Sequence, residues 1–335
     1  MEFTASGRLT VRVTAADVGK RVSVRSLTGA PDSEGKFTDT VGVLTSWTAD
    51  VLRLTRRDGR SVTLDRASVV AAKVVPPAPA RRRGLPSAGT AELTRAAARG
   101  WPAVETGHLG DWLLQASGGF TRRANSVIPT GEPRLPLDEA LSRVNYWYRT
   151  RELTPRLQLA LGAEGTDEVL AARLADRGWS PEVTAELQVA GLAQVADRSG
   201  GEDVVLSRTV DAGWLLRYRG LTDPRSEVLR VLHGGPSVWF ATVPGPAPDE
   251  APAATGRVVV DGRWAGFSAV EVAPEARRRG VATAVMAALA RRALEEGASA
   301  AWLQVEADNG GARSLYSAMG FATHHSYQHW CAPRS

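Results

Sequence analysis

The sequence predicts a chain of the α/β (α+β) class, with a mixed central sheet and flanking helices preceded by a small β-barrel. Three observations predict it. Residues 8–75 hold six short β-branched or alternating runs without helical periodicity. From residue 88 onward, helical stripes alternate with strand-like runs. Near residue 280 a strand-like run passes through an arginine-rich, glycine-containing loop into a helix. That arrangement leaves first-turn N–H groups free for an anion.

At 335 residues the chain exceeds one ordinary core. Four segments are expected: a barrel at 1–76, a Pro/Arg linker at 77–87, a mixed α/β segment at 88–197 and a second at 198–335. Gly, Arg, Asp or Pro interrupts every apolar stretch, so no membrane partner is expected. The first residues lack the basic and apolar blocks of a secretory leader, and Cys331 is the single cysteine, which excludes an internal disulfide. A cytoplasmic setting follows as the expectation. The net charge of +5 is unevenly spread, since residues 1–86 carry 15 Lys+Arg against 8 Asp+Glu. A basic surface without base-stacking aromatics is weak evidence for nucleic acid, which is disfavoured as a partner.

In order along the chain, strands are expected at 9–13, 21–27, 40–47, 51–55, 61–64 and 69–75, with Asp58-Gly59 as a hairpin turn. Three prolines open the linker at 76–79, and Arg81, Arg82 and Arg83 follow as a solvated charge run. Helices are expected at 90–99, 137–151 and 166–177, with strands at 110–116, 156–161 and 183–189. Beyond residue 201, runs 204–209 and 214–219 read as strand-like or short elements, 223–232 as a helix and 238–243 as a strand. Pro244 and Pro252 bound an exposed loop, and 256–260 with 264–272 form a hairpin around Asp261-Gly262.

The strand ending at Pro274 leads into Glu275-Ala276-Arg277-Arg278-Arg279-Gly280-Val281-Ala282 and a helix capped by Gly297. Val281, Val285 and Leu289 share one stripe, so this helix lays one face on a sheet. Gly280 and the small Ala282 let a phosphate approach the backbone. The R-x-x-G-x-A pattern at Arg277, Gly280 and Ala282 resembles the pyrophosphate loop of the GNAT acetyltransferases. A strand at 300–306 follows, and then N-x-x-A-x-x-L-Y-x-x-x-G-F at Asn309, Ala312, Leu315, Tyr316, Gly320 and Phe321 is similar to the second half of that family's signature. The layout also resembles an actinobacterial subgroup with a small N-terminal barrel and a tandem acyltransferase fold. Leu157-Gln158-Leu159 with Gly178-Trp179 echoes Leu303-Gln304-Val305 with Gly320-Phe321. The first copy has Leu174 where the second has Tyr316 and lacks the arginine loop, so it is expected to be degenerate.

The resemblance implies an acetyl-CoA-dependent N-acetyltransferase acting by direct transfer on an amine-bearing acceptor of unknown identity, with acetyl-CoA as co-substrate and no metal. The backbone of Val270, Glu271 and Val272 would pair with the pantetheine arm. The amides of Arg278, Arg279, Gly280, Val281, Ala282 and Thr283 would hold the pyrophosphate, with the Arg277, Arg278 and Arg279 side chains beside it. Asn309 would bond the arm or simply cap its helix, and Tyr316 would protonate the departing thiolate. Some relatives carry Glu at the position of Gln304, which cannot take a proton here, so Glu271 is the candidate base.

Several readings stay open on the residues alone. His325, Tyr327, His329 and Cys331 share one face of an extended segment and invite a zinc reading, or His324 and His325 border the acceptor pocket. Phe120, Arg122, Arg123, Asn125 and Ser126 line an acceptor cleft or form a structural turn. Few residues follow Phe321, so either the first copy supplies the usual last strand or the sheet is shorter. A non-catalytic acyl-CoA sensor and a nucleic-acid adaptor led by the basic N-terminal segment are the rival functions, and a homodimer is left open.

Overall fold

The computed structural model describes residues 11–28, 36–76, 85–199, 203–245 and 250–333. In chain order the elements are β1 (Arg21–Thr28), β2 (Lys36–Trp47), β3 (Val51–Thr55), β4 (Ser61–Asp65), β5 (Val69–Val74), α1 (Thr90–Gly100), β6 (Glu105–Leu109), β7 (Trp112–Ala116), β8 (Ile128–Pro129), α2 (Leu137–Arg149), β9 (Arg156–Leu161) and α3 (Glu168–Ala175). They continue with β10 (Ser180–Gly191), α4 (Leu192–Ala196), β11 (Val205–Ser207), α5 (Ala212–Arg217), α6 (Ser226–His233), β12 (Ser237–Val243), β13 (Ala254–Asp261), β14 (Trp264–Val272), α7 (Val281–Glu295), β15 (Ala300–Glu306), α8 (Gly310–Ala318) and β16 (Ala322–Cys331). The chain divides into two compact units, residues 1–79 with 159–180 and residues 80–158 with 181–335.

The first unit is built on an antiparallel sheet of order β4-β3-β2-β1-β5. Val22, Val24, Leu52 and Leu54 point to one buried face at period two, as alternation requires. Gly59, at φ +81°, makes the expected turn between β3 and β4. Register shifts in β1 and β2 bend the sheet. It stays open rather than closing as the barrel expected: among the described residues no ladder joins β4 to β5. Of the expected 9–13 strand, residues 9 and 10 lie outside the described residues, as do linker residues 77–84 with the arginine triplet and loop residues 246–249.

The second unit centres on an eight-stranded sheet of order β11-β12-β13-β14-β15-β10-β16-β9. Its ladders are mixed, with β14 and β15 parallel and β13–β14 and β10–β15 antiparallel. Val285, Met286 and Leu289 of α7 pack with Phe267, Leu303 and Val305 on one face. Leu93 of α1, Trp214 of α5 and Val231 of α6 pack with Trp302 on the other. Trp302 lies across β14 where Gly266 stands, since a Cβ there would sit 2.2 Å from the indole.

One open reading resolves and one expectation changes. Run 214–219 is mostly the short helix α5, begun by the Asp211 side chain accepting from Trp214 N at 2.7 Å. The final strand is present: β16, ten residues long, runs between β10 and β9.

Candidate functional site

The sheet parts in the middle. β14 and β15 pair from Trp264↔Ala300 to Phe267↔Leu303 and no further. β15 nevertheless stays paired with β10 to Glu306, and β14 with β13 to Val272. Ser268 and the rest of β14 therefore keep backbone groups that no β15 partner takes. A bulge contributes to the parting, because register slips opposite residues 255–257 and Ala269 adopts φ +52°. A positive φ at a non-glycine residue inside a strand is strained backbone at a site. Val270 and Val272 turn to the α7 face. Glu271 turns away from it, and its Oε2 accepts from Arg219 N at 3.2 Å.

Beyond β14, a 3-10 turn at Pro274–Ala276 ends at Arg277, whose Nε donates to Val272 O at 3.4 Å. Arg278 at φ +60° and Gly280 at φ +79° turn the chain sharply into α7. The first intrahelical bond is Ala284 N to Gly280 O at 3.0 Å, so the N–H groups of Val281, Ala282 and Thr283 have no intrahelical acceptor. Arg277, Arg278, Arg279 and Gly280 are exposed, and nothing lies within 4 Å of where a Gly280 side chain would be. A cationic rim, open amides and the positive helix end together suit a phosphate.

Past β15, the Asn309 side-chain oxygen accepts from Ala312 N at 3.1 Å, which begins α8 and leaves the amide nitrogen free to donate. Tyr316 packs on the same face as α7, edge-on to Phe321 at 5.9 Å. Burial pushes its hydroxyl above the usual phenol range, against the pull of the Arg123 cation.

On the opposite face a cleft of about 360 Å³ opens. Its walls include Arg122, Arg123, Arg156 and Arg219, with Gln304, Glu306, Tyr327 and His329. Gln304 and Glu306 reach it because they alternate with Leu303 and Val305, which face α7. Asn125 builds the turn carrying Arg122 and Arg123: its Oδ1 accepts from Ser117 N and Gly119 N, and its Nδ2 donates to Phe120 O and Thr121 O. Arg123 donates to Gln304 Oε1 at 3.1 Å and lies over Trp101 at 4.8 Å. On the same indole, at 5.0 Å, sits the fully buried Arg257, whose donors go to the carbonyls of Leu232, Gly100 and Gly234 and to Ser268 Oγ. Burial, reinforced by the Arg123 charge, lowers Arg257 to about 9. His329 is 3% exposed, with neither ring nitrogen hydrogen-bonded. Burial, with Arg123, Arg122 and Arg156 adding to it, pushes this imidazole down to about 3, so it is neutral near pH 7.

The anticipated cleft segment thus divides. Arg122, Arg123 and Asn125 reach the cavity, whereas Phe120 belongs to the core and Ser126 Oγ is tied to Arg122 O at 2.8 Å. The anticipated histidines change places: His325 is turned to His324 at 2.9 Å, and His329 with Tyr327 lines the cavity instead. Among the described residues no group of three or more His, Cys, Asp or Glu is placed to hold a metal ion. Arg156 and Arg219 had no signal in the sequence, because neither stands in a motif.

Two family models match the chain, one on either side of residues 74–87. A family model described as "Probable histone acetyltransferase Rv0428c C-terminal" matches residues 88–330, and one described as "Rv0428c N-terminal Sm-like domain" matches residues 16–73. The probable histone acetyltransferase Rv0428c of Mycobacterium tuberculosis is 34% identical over 140 residues, covering 42% of this chain and 43% of that protein. The chain therefore matches less than half the length of that relative. The uncharacterized N-acetyltransferase YobR of Bacillus subtilis is 28% identical over 257 residues, 71% of this chain and 97% of that protein. Among solved structures, a GCN5-related N-acetyltransferase from Kribbella flavida superposes with a TM-score of 0.53 at 16% identity, over 73% of this chain and 96% of that one. At that identity the likeness speaks for the fold.

Proposed function

The chain belongs to the family described as the probable histone acetyltransferase Rv0428c C-terminal region, and from that premise we propose that it is an acetyl-CoA-dependent N-acetyltransferase transferring acetyl directly to an amine. One observation carries the reading: the β14–β15 ladder opens after Phe267, on the strand that runs on through the exposed loop 277–280 to the first turn of α7. A pantetheine arm carries amides that pair like an added strand with Val270, Glu271 and Val272. Its pyrophosphate meets the amides of residues 278–283, with Arg277, Arg278 and Arg279 as the cationic rim. The Asn309 amide nitrogen, unused by the cap, donates to the arm.

In the transfer, the amine nitrogen attacks the thioester carbonyl carbon as the carbonyl π pair moves to oxygen, where β14 amides steady it. Collapse breaks the C–S bond. The sulfur leaves with the bonding pair and takes the Tyr316 proton, while Glu271 accepts the proton shed by the amine. Glu271 suits the role because Arg219 N orients it on the cleft side of β14.

In the same reading, residues 88–197 are a degenerate first copy and 198–335 the catalytic one. Two matching helix ends support this. Trp179 N bonds Leu174 O at 3.1 Å after Gly178 at φ +77°, and Phe321 N bonds Tyr316 O at 3.0 Å after Gly320 at φ +92°. Leu174 has no hydroxyl to offer a thiolate, which assigns chemistry to the second copy.

Free-thiol release from acetyl-CoA across a panel of amines tests the proposal. Amine-dependent release is expected. Acetyl-CoA binding without release from any amine would instead favour the sensor, the reading that Gln304 in place of a carboxylate supports.

A further inference from the structure

We infer that the cleft selects amines that also carry an anionic group, a carboxylate or a phosphate, rather than polycationic protein tails; this deepens the acetyltransferase reading and rests on it. The four arginines of the cleft are not equivalent. Arg122 and Arg156 both pair with Glu182, at 3.4 and 2.8 Å. The Arg123 and Arg219 guanidinium groups have no carboxylate ion-pair partner among the described residues, although the Arg219 backbone N–H donates to Glu271. Arg123 bonds the neutral Gln304 amide and stacks on Trp101, and the Arg219 guanidinium lies over Tyr218 at 5.7 Å.

Gln304 is the decisive residue. A carboxylate at this position would neutralise Arg123, whereas the amide orients the guanidinium and leaves its charge in place. Arg257, buried on the same indole without a carboxylate partner, adds a second uncompensated cation beside it. Arg219 is held at φ +62°, a strained setting for a side chain at the cleft wall. His329 points to a ligand independently, because it lines the cleft with two buried ring nitrogens unsatisfied. It is neutral in this field, so it offers one donor and one acceptor to a polar substrate. Glu182 is taken up by Arg122 and Arg156, which leaves Glu306, 4.0 Å from Arg122, and the neighbouring Glu271 as the carboxylates toward which the ammonium end can turn. A lysine-rich tail would bring several like charges to Arg123 and Arg219, and like charges in a partly enclosed site are excluded.

The test is kcat/KM for thiol release with matched amines: ethanolamine against O-phosphoethanolamine, and butylamine against 4-aminobutyrate, with a lysine-rich histone-tail peptide as the cationic case. The inference expects at least one anion-bearing member to exceed its neutral partner by about tenfold or more, the two pairs separating phosphate from carboxylate. Arg219→Gln, which keeps the backbone N–H on Glu271, should lower kcat/KM for the preferred member about tenfold more than for its neutral partner. Gln304→Glu, which gives Arg123 a partner, should erase most of the preference. Neutral amines or the histone peptide matching the anionic ones overturns the inference and leaves the enzyme intact. No release with any amine overturns both. Equal loss for both members of a pair in Arg219→Gln also overturns it, since that is what a structural role produces.

Discussion

Tyr316, half-buried, and Arg257, fully buried, show how differently two polar side chains can be used. Burial, against the opposing Arg123 charge, raises the Tyr316 hydroxyl above the usual phenol range and holds it protonated, which is the state a proton donor needs. Tyr316→Phe keeps the ring contact with Phe321, so turnover should fall about a hundredfold while acetyl-CoA affinity measured by calorimetry stays the same. Unchanged turnover would remove the residue from the chemistry. Arg257 instead satisfies three carbonyls, those of Leu232 and Gly100 in buried settings and that of half-buried Gly234. Arg257→Leu leaves them unpaired, and each costs roughly 1–3 kcal/mol, so a loss of at least ~3 kcal/mol in urea unfolding is expected even after relief of the buried charge. The sequence offered no sign of this, because a lone arginine in a strand reads as an outward-facing residue.

At the scale of elements, the loop into α7 was legible because its chemistry is local. A glycine just ahead of a helix and consecutive arginines suffice to anticipate an anion site. Gly280 has open space around it but sits at φ +79°. Gly280→Ala should therefore cost only about 1 kcal/mol in folding stability, through backbone strain. The displaced amides should weaken acetyl-CoA binding about tenfold; unaltered binding would mean that the loop does not hold the diphosphate. Gly266 is the contrasting case, because an added Cβ would collide with Trp302. Gly266→Ala should lower the melting temperature markedly, by roughly 1–3 kcal/mol of overpacking, and so should lower activity only in proportion to the folded fraction. The parting of β14 from β15 was not legible, since a bulge at Ala269 depends on what β13 and α7 do beside it. Run 214–219 stayed open between strand and short element for the related reason that six residues give too little periodicity to separate helix from strand.

The whole molecule responds to pH through groups buried in the wrong state for acid. His325 and His329 are pushed to about 3, chiefly by burial, from an ordinary value of 6.5. Between those values the unfolded chain binds protons that the folded chain refuses. Stability present above the unfolded value is therefore lost as pH falls toward the folded one. Asp167 acts with the opposite sign, because burial raises its carboxyl to about 7 from 3.8, and its contribution is lost as pH rises through that window. His329→Phe isolates one term. The melting temperature of the unaltered chain minus that of the variant should fall steadily as pH is lowered from about 7 to about 4. A difference independent of pH would contradict the buried, neutral state of His329.

The sequence by itself determined the class of fold, the positions of most strands and helices, the arginine- and glycine-containing loop ahead of α7 and the helix bearing Tyr316, because each rests on short-range periodicity or on a motif within one turn. Only the tertiary structure decided the cleft. Arg123, Arg156, Arg219, Gln304 and His329 come from five separate stretches, brought together when β10 enters between β15 and β16. Whether an arginine keeps its charge free depends on which carboxylate lies beside it in space. Adjacency of that kind is a property of the sheet order and leaves no local pattern in the chain.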